Sequence, residues 1–191
     1  MNELIRNPTG IVGIFLLTLV FLAVVFGSVL APYDPQSFHP SVRLSGPSID
    51  HWLGTDQFGR DLLSRLLTGA RSTILFGLGA TGLGVFAGSI IGVTAGVSGG
   101  WIDSTIMRAL DVLLAVPDLL FTLLIVTMLG GGTNEAMLAV AVAFTPGMAR
   151  ISRSSVLSIR TREYVLAAVA RGESQAYIIS QEVVPNTIGP I

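Results

Sequence analysis

Hydrophobic positions fall into long blocks along this chain, and the polar positions collect between them. Residues 11–30 carry no charge. About 20 apolar residues at 1.5 Å rise cross a hydrocarbon core roughly 30 Å thick, so this block predicts a membrane-spanning helix. A secretory leader has a shorter apolar core, about 7–15 residues, and a small-residue cleavage site. Here the block is longer and runs into Ala-Pro-Tyr-Asp-Pro, which predicts a span that is not removed. Residues 72–100 are also uncharged and predict a second span. A third is predicted over 111–129, interrupted by Pro117 and Asp118, with a kink or a junction to an interfacial helix at Pro117. A fourth is predicted over 134–151, with Pro146 and Gly147 inside it and Glu135 and Arg150 near opposite interfaces. Four blocks of this kind predict an all-α, polytopic integral membrane protein.

The segments between the blocks read differently. Residues 31–71 open on Ala-Pro-Tyr-Asp-Pro and predict a loop. Its end has helical spacing at Phe58, Leu62, Leu63, Leu66 and Leu67, which predicts a short amphipathic helix lying at the membrane surface ahead of the second span. Residues 163–186 are too polar to cross a bilayer. Glu163 to Arg171 are good helix formers, with Thr161 placed to cap them. Gly172 predicts a break, a second short helix follows over 173–184, and Pro185 predicts its end. Helix, glycine turn, helix is the pattern. The Ala167-Ala168 pair leaves one face with little side-chain bulk, which suits docking into a groove on a partner protein. Packing on the chain's own bundle is the plainer alternative.

Composition agrees with a membrane protein. The 191 residues are 51% hydrophobic and 12% charged, about half the roughly 25% of soluble domains, and the mean hydropathy is +0.73. All 11 basic residues are arginine, and the net charge is −1 without a basic block, which speaks against nucleic acid as a partner. With the N-terminus in the cytoplasm, Arg6, Arg108, Arg150, Arg153, Arg160, Arg162 and Arg171 lie inside. Arg43, Arg60, Arg65 and Arg71 then lie outside. That inward excess favours a cytoplasmic N-terminus and puts residues 163–186 on the cytoplasmic side.

Candidate chemistry is sparse. Cysteine is absent, so disulfides and thiolate metal sites are excluded. Residues 77–82, Gly-Leu-Gly-Ala-Thr-Gly, fit a dinucleotide pattern that has meaning only between a strand and a helix, and here they fall inside an apolar block. His39 and His51 stand in the loop without ligand spacing and predict exposed side chains. Asp111, Asp118 and Glu135 predict interface or helix-end positions. No catalytic residue, metal site or cofactor is expected. Gly84, Gly88, Gly92 and Gly96 recur every fourth residue, on one helix face, and predict close helix–helix packing.

Residues 163–186 resemble the EAA loop of ATP-binding-cassette importer permeases, whose pattern is Glu-Ala-Ala, three residues, Gly, and later Ile-x-Leu-Pro. The matching positions are Ala167, Ala168, Gly172 and Pro185. Glu-Tyr-Val-Leu-Ala-Ala from Glu163, then Val-Val-Pro-Asn ending at Asn186, is similar to the dipeptide, oligopeptide and nickel permease branch. So are residues 6–13, 51–71 and 101–120. The chain departs from the pattern with Leu166 at the glutamate position, Glu182 at the isoleucine and Val184 before the proline.

The resemblance implies a type I importer transmembrane fold with six spans, of which about four fall within residues 1–191. It implies a permease region over 1–70 and a transport domain over 71–191, incomplete at its C-terminus, containing the coupling loop 163–186. A C-terminally truncated chain is the corresponding expectation. The resemblance further implies a multi-pass protein of the cell membrane. Its partners would be a second permease subunit, two ATPase subunits, an extracytoplasmic solute-binding protein and membrane lipid. Glu163, Ala167, Ala168, Gly172 and Pro185 would couple it to the ATPases. It would move peptides, nickel or other small solutes. The alternatives are a non-functional remnant, or a channel or membrane enzyme without ATPase partners.

Overall fold

A computed structural model describes residues 7–187. Its regular structure is helical, and among the described residues the only β pairing is an isolated bridge between Thr55 and Asp61. Two compact units divide the chain, Met1–Phe76 and Gly77–Ile191.

In the first unit, helix α1 spans Pro8–Leu30, started by a proline at its first turn, where the missing N–H costs nothing. Its side chains face outward except Ala23 and Gly27. A helix apolar all round and unburied has its solvent in lipid. Gly27 is where helix α2, Leu62–Ser98, crosses it. A Cβ at Gly27 would strike the Leu67 carbonyl, so only glycine admits this approach.

The loop between α1 and α2 is pinned from inside. Asp61 precedes α2 and accepts from the Ser64 N–H at 2.8 Å and from its hydroxyl at 2.7 Å. Ser64 Oγ in turn accepts from the Tyr33 N–H at 3.1 Å. His51 Nδ1 lies 3.0 Å from Asp61 Oδ1, with its side chain 13% exposed. The loop histidines were expected to be exposed; His51 is instead drawn in by an acidic partner ten residues away. The predicted surface helix also differs. Phe58 sits in the loop, and Leu62, Leu63, Leu66 and Leu67 are the first turns of α2. Between them and the apolar block stand no proline and a single glycine, Gly69, which costs a helix only about 1 kcal/mol, so one helix of 37 residues forms.

In the second unit, α3 (Gly100–Leu114) and α4 (Asp118–Leu129) meet at a bend of 88°. Pro117 ends one element and precedes the other, as its restriction of the preceding residue requires. The predicted span over 111–129 is therefore two elements. Helix α4 alone has 12 residues, about 18 Å long at 1.5 Å per residue. Helix α5, Thr133–Arg160, continues nine residues past the predicted fourth span and carries Pro146 inside it. Among the described residues, two helices, α1 and α2, are long and apolar enough to cross a membrane, or three spans if α3 and α4 form one broken span.

Helix α6, Glu163–Ala170, follows α5. A helical run then covers Gln175–Tyr177, a π-helical stretch Ile178–Val183, and Val184–Thr187. Thr161 does not cap α6. Its hydroxyl donates back to the Ser158 carbonyl at 2.9 Å, because it closes α5 instead. Nor does Pro185 end the last helix, which continues to Thr187. The π turn reassigns the bonds there: the Val184 N–H donates to Ile179 O, five residues back. Asn186 Nδ2 donates to Glu182 O at 2.8 Å, so a side chain serves a carbonyl near the proline, which has no N–H of its own to give.

Candidate functional site: the helix–turn–helix behind α5

Glycine positions set the frame. A Cβ at Gly84 would stand 2.9 Å from the Ala141 carbonyl and 3.1 Å from Phe144 Cβ. At Gly88 it would stand 2.6 Å from Met148 Cβ and 2.7 Å from the Thr145 carbonyl. At Gly92 it would press on the Ala149 carbonyl and stand 2.8 Å from Ser152 Cβ. At Gly96 it would stand 2.9 Å from Val156 Cβ. Each step of four on α2 advances about four on α5, so the two helices run in register, backbone against backbone. Ala141, Ala149, Ser152 and Val156 on the facing surface of α5 are buried, while Phe144 and Met148 approach the glycines through their Cβ atoms.

Arginines lock the far end of this contact. Arg153 grips Asp103 of α3 with two bonds, Nε to Oδ1 at 2.5 Å and Nη2 to Oδ2 at 2.6 Å. Arg150 meets Asp111 of the same helix at 2.5 Å, where both side chains are more than half exposed. Arg160 Nη1 donates to the Gly96 and Val97 carbonyls at 2.8 and 3.2 Å. Those carbonyls belong to the last turn of α2, which has no helical partner for them.

The candidate coupling segment is built on that lock. Helix α6 terminates in a hydrogen-bonded turn. The Gly172 N–H donates to Val169 O at 3.0 Å and the Glu173 N–H to Ala168 O at 3.2 Å. These are the two bonds of the Schellman motif, which needs a left-handed residue at the turn. Gly172 supplies it with φ +79°. The space beside it is open, with nothing within 4 Å of a Cβ built there, so the backbone alone requires glycine.

Ser174 opens the next helix. Its hydroxyl accepts from the Tyr177 N–H at 3.3 Å, and its carbonyl from the Ile178 N–H at 3.0 Å. Val165 of α6 and Val183 of the π stretch then join Val156 and Ile159 of α5 in one buried cluster.

The structure divides the alanine pair. Ala168 is fully buried, on the Val165 side of α6. Ala167 is exposed, and so are Glu163, Tyr164, Leu166 and Val169. Leu166 and Val169 are more than half exposed; three residues apart, they share a helix face. They also border a cavity of about 240 Å³ between α6 and the π stretch, with Arg160 and Val97 on its wall. Pro185 belongs to the last short helix, outside this face. Residues 77–82 lie in mid-α2, where the backbone amides are spent on the helix and cannot cradle a phosphate. The inter-helix ion pairs escaped sequence reasoning, although Asp103 lay within a segment already singled out and Arg153 was counted among the arginines on the cytoplasmic side. Nothing local pairs residues fifty apart.

Residues 84–191 match the family described as binding-protein-dependent transport system inner membrane component. The chain belongs to that family. Residues 1–47 also match the N-terminal transmembrane domain of oligopeptide transport permease C. The dipeptide transport system permease protein DppC of Alkalihalophilus pseudofirmus is 38% identical over 190 residues, covering 100% of this chain and 62% of that protein. The oligopeptide transport system permease protein OppC of Bacillus subtilis is 35% identical, covering 97% of this chain and 61% of that protein. The glutathione transport system permease protein GsiD of Pectobacterium atrosepticum is 34% identical, covering 94% and 60%. The chain thus spans about three-fifths of the length of these relatives. The family is one of transport-permease components rather than enzymes, and the chain's apolar helices agree with a multi-pass protein of the cell membrane.

Proposed function

We propose that this chain is a permease subunit of an ATP-driven, binding-protein-dependent importer of peptides. Its partners are a second permease subunit, two ATPase subunits in the cytoplasm and an extracytoplasmic peptide-binding protein. The N-terminus and residues 163–186 lie in the cytoplasm. Peptide as the substrate class rests on the relatives, which are named for dipeptides, oligopeptides and glutathione.

One observation carries the mechanism. Helix α6 buries Val165 and Ala168 against α5 while it exposes Leu166, Val169 and Ala167. An apolar face kept outward on a polar segment marks a partner surface, and the ATPase groove is the partner that fits this family. Ala168 then does its work inward. Its small side chain lets α6 sit close to its own bundle, and Ala167 and Glu163 remain for contact. Closure of the ATPases pushes α6. Because α6 shares a buried cluster with α5, and Arg160 ties α5 to the end of α2, the push reaches the packed pair of long helices rather than a free loop. Packed elements of this kind have discrete arrangements, which suits alternation between inward- and outward-open states.

Gly172→Val tests the reading. A side chain in the left-handed region costs roughly 1–2 kcal/mol, more for a β-branched residue, and the turn between α6 and the next helix opens. In the complete transporter reconstituted in vesicles, we expect membrane insertion and subunit assembly to persist. Peptide uptake falls at least tenfold, while ATP hydrolysis no longer responds to loaded binding protein. Uptake and stimulated hydrolysis both at the unsubstituted level would sink the assignment.

A further inference from the structure

The loop of the first unit carries an apolar tip that the transport reading does not use. Ile49 is 90% exposed, Trp52 69% and Leu53 47%. Such exposure in a disordered loop would mean little, but this tip is held. The Ser48 N–H donates to the His51 carbonyl at 2.9 Å, and the His51 N–H donates to Ser48 Oγ at 3.1 Å. The Trp52 indole N–H donates to the Ile49 carbonyl at 3.1 Å. At the base, Ser45 and Thr55 exchange bonds of 3.0 Å, and His51 rests on Asp61. The side chains at the tip are therefore presented by a fixed frame.

Their height is set by what they stand beside. Ile49, Asp50 and Trp52 line one hollow of about 210 Å³ together with Leu30 and Leu63. Leu30 is the last residue of α1 and Leu63 lies in the first turn of α2. Residues 11–30 need about the full hydrocarbon thickness, so Leu30 marks the outer edge of that core. The tip stands at the same level, continuous with the lipid-facing surface of α1. An indole with its N–H already satisfied, next to an isoleucine, suits the boundary between acyl chains and headgroups. Asp50, between them in sequence, is exposed and belongs on the headgroup side.

We propose that residues 49–53 anchor this loop in the outer leaflet of the bilayer, with Ile49 and Trp52 inserted at the headgroup–acyl boundary. The anchor holds the outer ends of α1 and α2 at a fixed depth. The partner is lipid rather than the peptide-binding protein, because the patch continues the surface of a membrane span and lies against its end.

The chain has no cysteine, so Ile49→Cys gives a spin-label site at a position exposed enough not to disturb folding. The complete transporter is placed in phosphatidylcholine vesicles, with any cysteines elsewhere replaced. Collision with dissolved oxygen and with a water-soluble nickel chelate is then measured at residue 49 and, as the lipid reference, at Leu30→Cys. Anchoring predicts that oxygen collides more effectively than the chelate at residue 49, as at residue 30, and that adding Trp52→Ala shifts the label towards water. A label that favours the chelate in vesicles overturns the proposal. A label that favours the chelate alone, and is shielded only when binding protein is added, also overturns it and makes the tip a protein-docking surface. This test requires only that the chain sit in a membrane, so it can fail while the coupling reading stands, and the reverse.

Discussion

Replacing Gly92 and Gly82 with alanine separates close packing from helix propensity on one helix. Both positions lie inside α2. A Cβ at Gly82 meets nothing within 4 Å, whereas a Cβ at Gly92 is pressed against the Ala149 carbonyl and stands 2.8 Å from Ser152 Cβ and 3.0 Å from the Ala149 carbonyl carbon. Much of that obstacle is backbone, so no side-chain rotation clears it and the helices must part. Alanine in place of glycine favours a helix by up to about 1 kcal/mol, and this term is common to both variants. Overpacking costs typically about 1–3 kcal/mol and falls on Gly92→Ala alone. Gly82→Ala should therefore be neutral to about 1 kcal/mol more stable, and Gly92→Ala neutral to about 3 kcal/mol less stable. The difference between them is the packing term, about 1–3 kcal/mol, or roughly 5- to 150-fold in the folding equilibrium. Unfolding of the purified permease in mixed micelles, followed by helical circular dichroism over a rising fraction of denaturing detergent, measures that difference directly. If Gly92→Ala matched or exceeded Gly82→Ala, the register of α2 on α5 would be wrong, because no other feature of the two sites distinguishes them so sharply.

Further outcomes follow from the ion pairs and the outer loop. Asp103→Asn should cost about 1–3 kcal/mol in the same unfolding assay, between the values for exposed and for buried pairs. The exchange Asp103→Arg with Arg153→Asp should recover part of it, and Asp111→Asn, at the exposed pair, should cost under about 1 kcal/mol; equal losses at the two aspartates would refute the ranking. Asp56 is partly desolvated, which raises its pKa, but the Arg60 and Phe58 N–H groups and the Arg60 guanidinium outweigh this and hold it at about 2, against an ordinary 3.8. Asp61 is lowered as well, with burial opposed by the Ser64 hydroxyl and N–H and by His51. A lowered pKa means the folded loop favours the carboxylates, so their contribution is complete above the ordinary value and disappears as pH falls through the folded one. Hydrogen exchange of the loop amides should therefore stay unchanged from pH 7 to about 4, after correction for intrinsic rates, and rise between about pH 3.8 and 2. Asp56→Asn should flatten most of that rise, and loss of protection already at pH 5–6 would contradict the assignment.

The apolar blocks and the transport-permease family were legible in the sequence because each rests on contiguous residues. A run such as 11–30 has one stable solvent, and the helix Pro8–Leu30 forms on it with few interior contacts. Element junctions were legible only where a residue forces them. Pro117 and Gly172 each impose a backbone geometry, and both mark real breaks. Pro185 misled because the rule that proline ends a helix assumes α-helical bonding up to it, and the π stretch Ile178–Val183 changes which carbonyl lacks a donor. The amphipathic pattern at 58–67 misled for a related reason: periodicity gives a face but carries no information on where one helix stops and the next begins.

The alanine pair shows the limit of motif reading most sharply. As letters, Ala167 and Ala168 are equivalent, and both sit in the segment that resembles the coupling loop. Helical geometry separates them by about 100°, and the side on which Val165 falls decides which one turns inward. Val165 and Ala168, three apart, share a face, and Val165 is held by Val156, Ile159 and Val183. Ala168 is therefore buried, and bulk added there should push α6 off α5, whereas bulk at Ala167 meets only what lies outside the chain. A motif of two small residues can thus serve two surfaces at once: one sets how close the helix lies to its own bundle, and the other how close a partner can come.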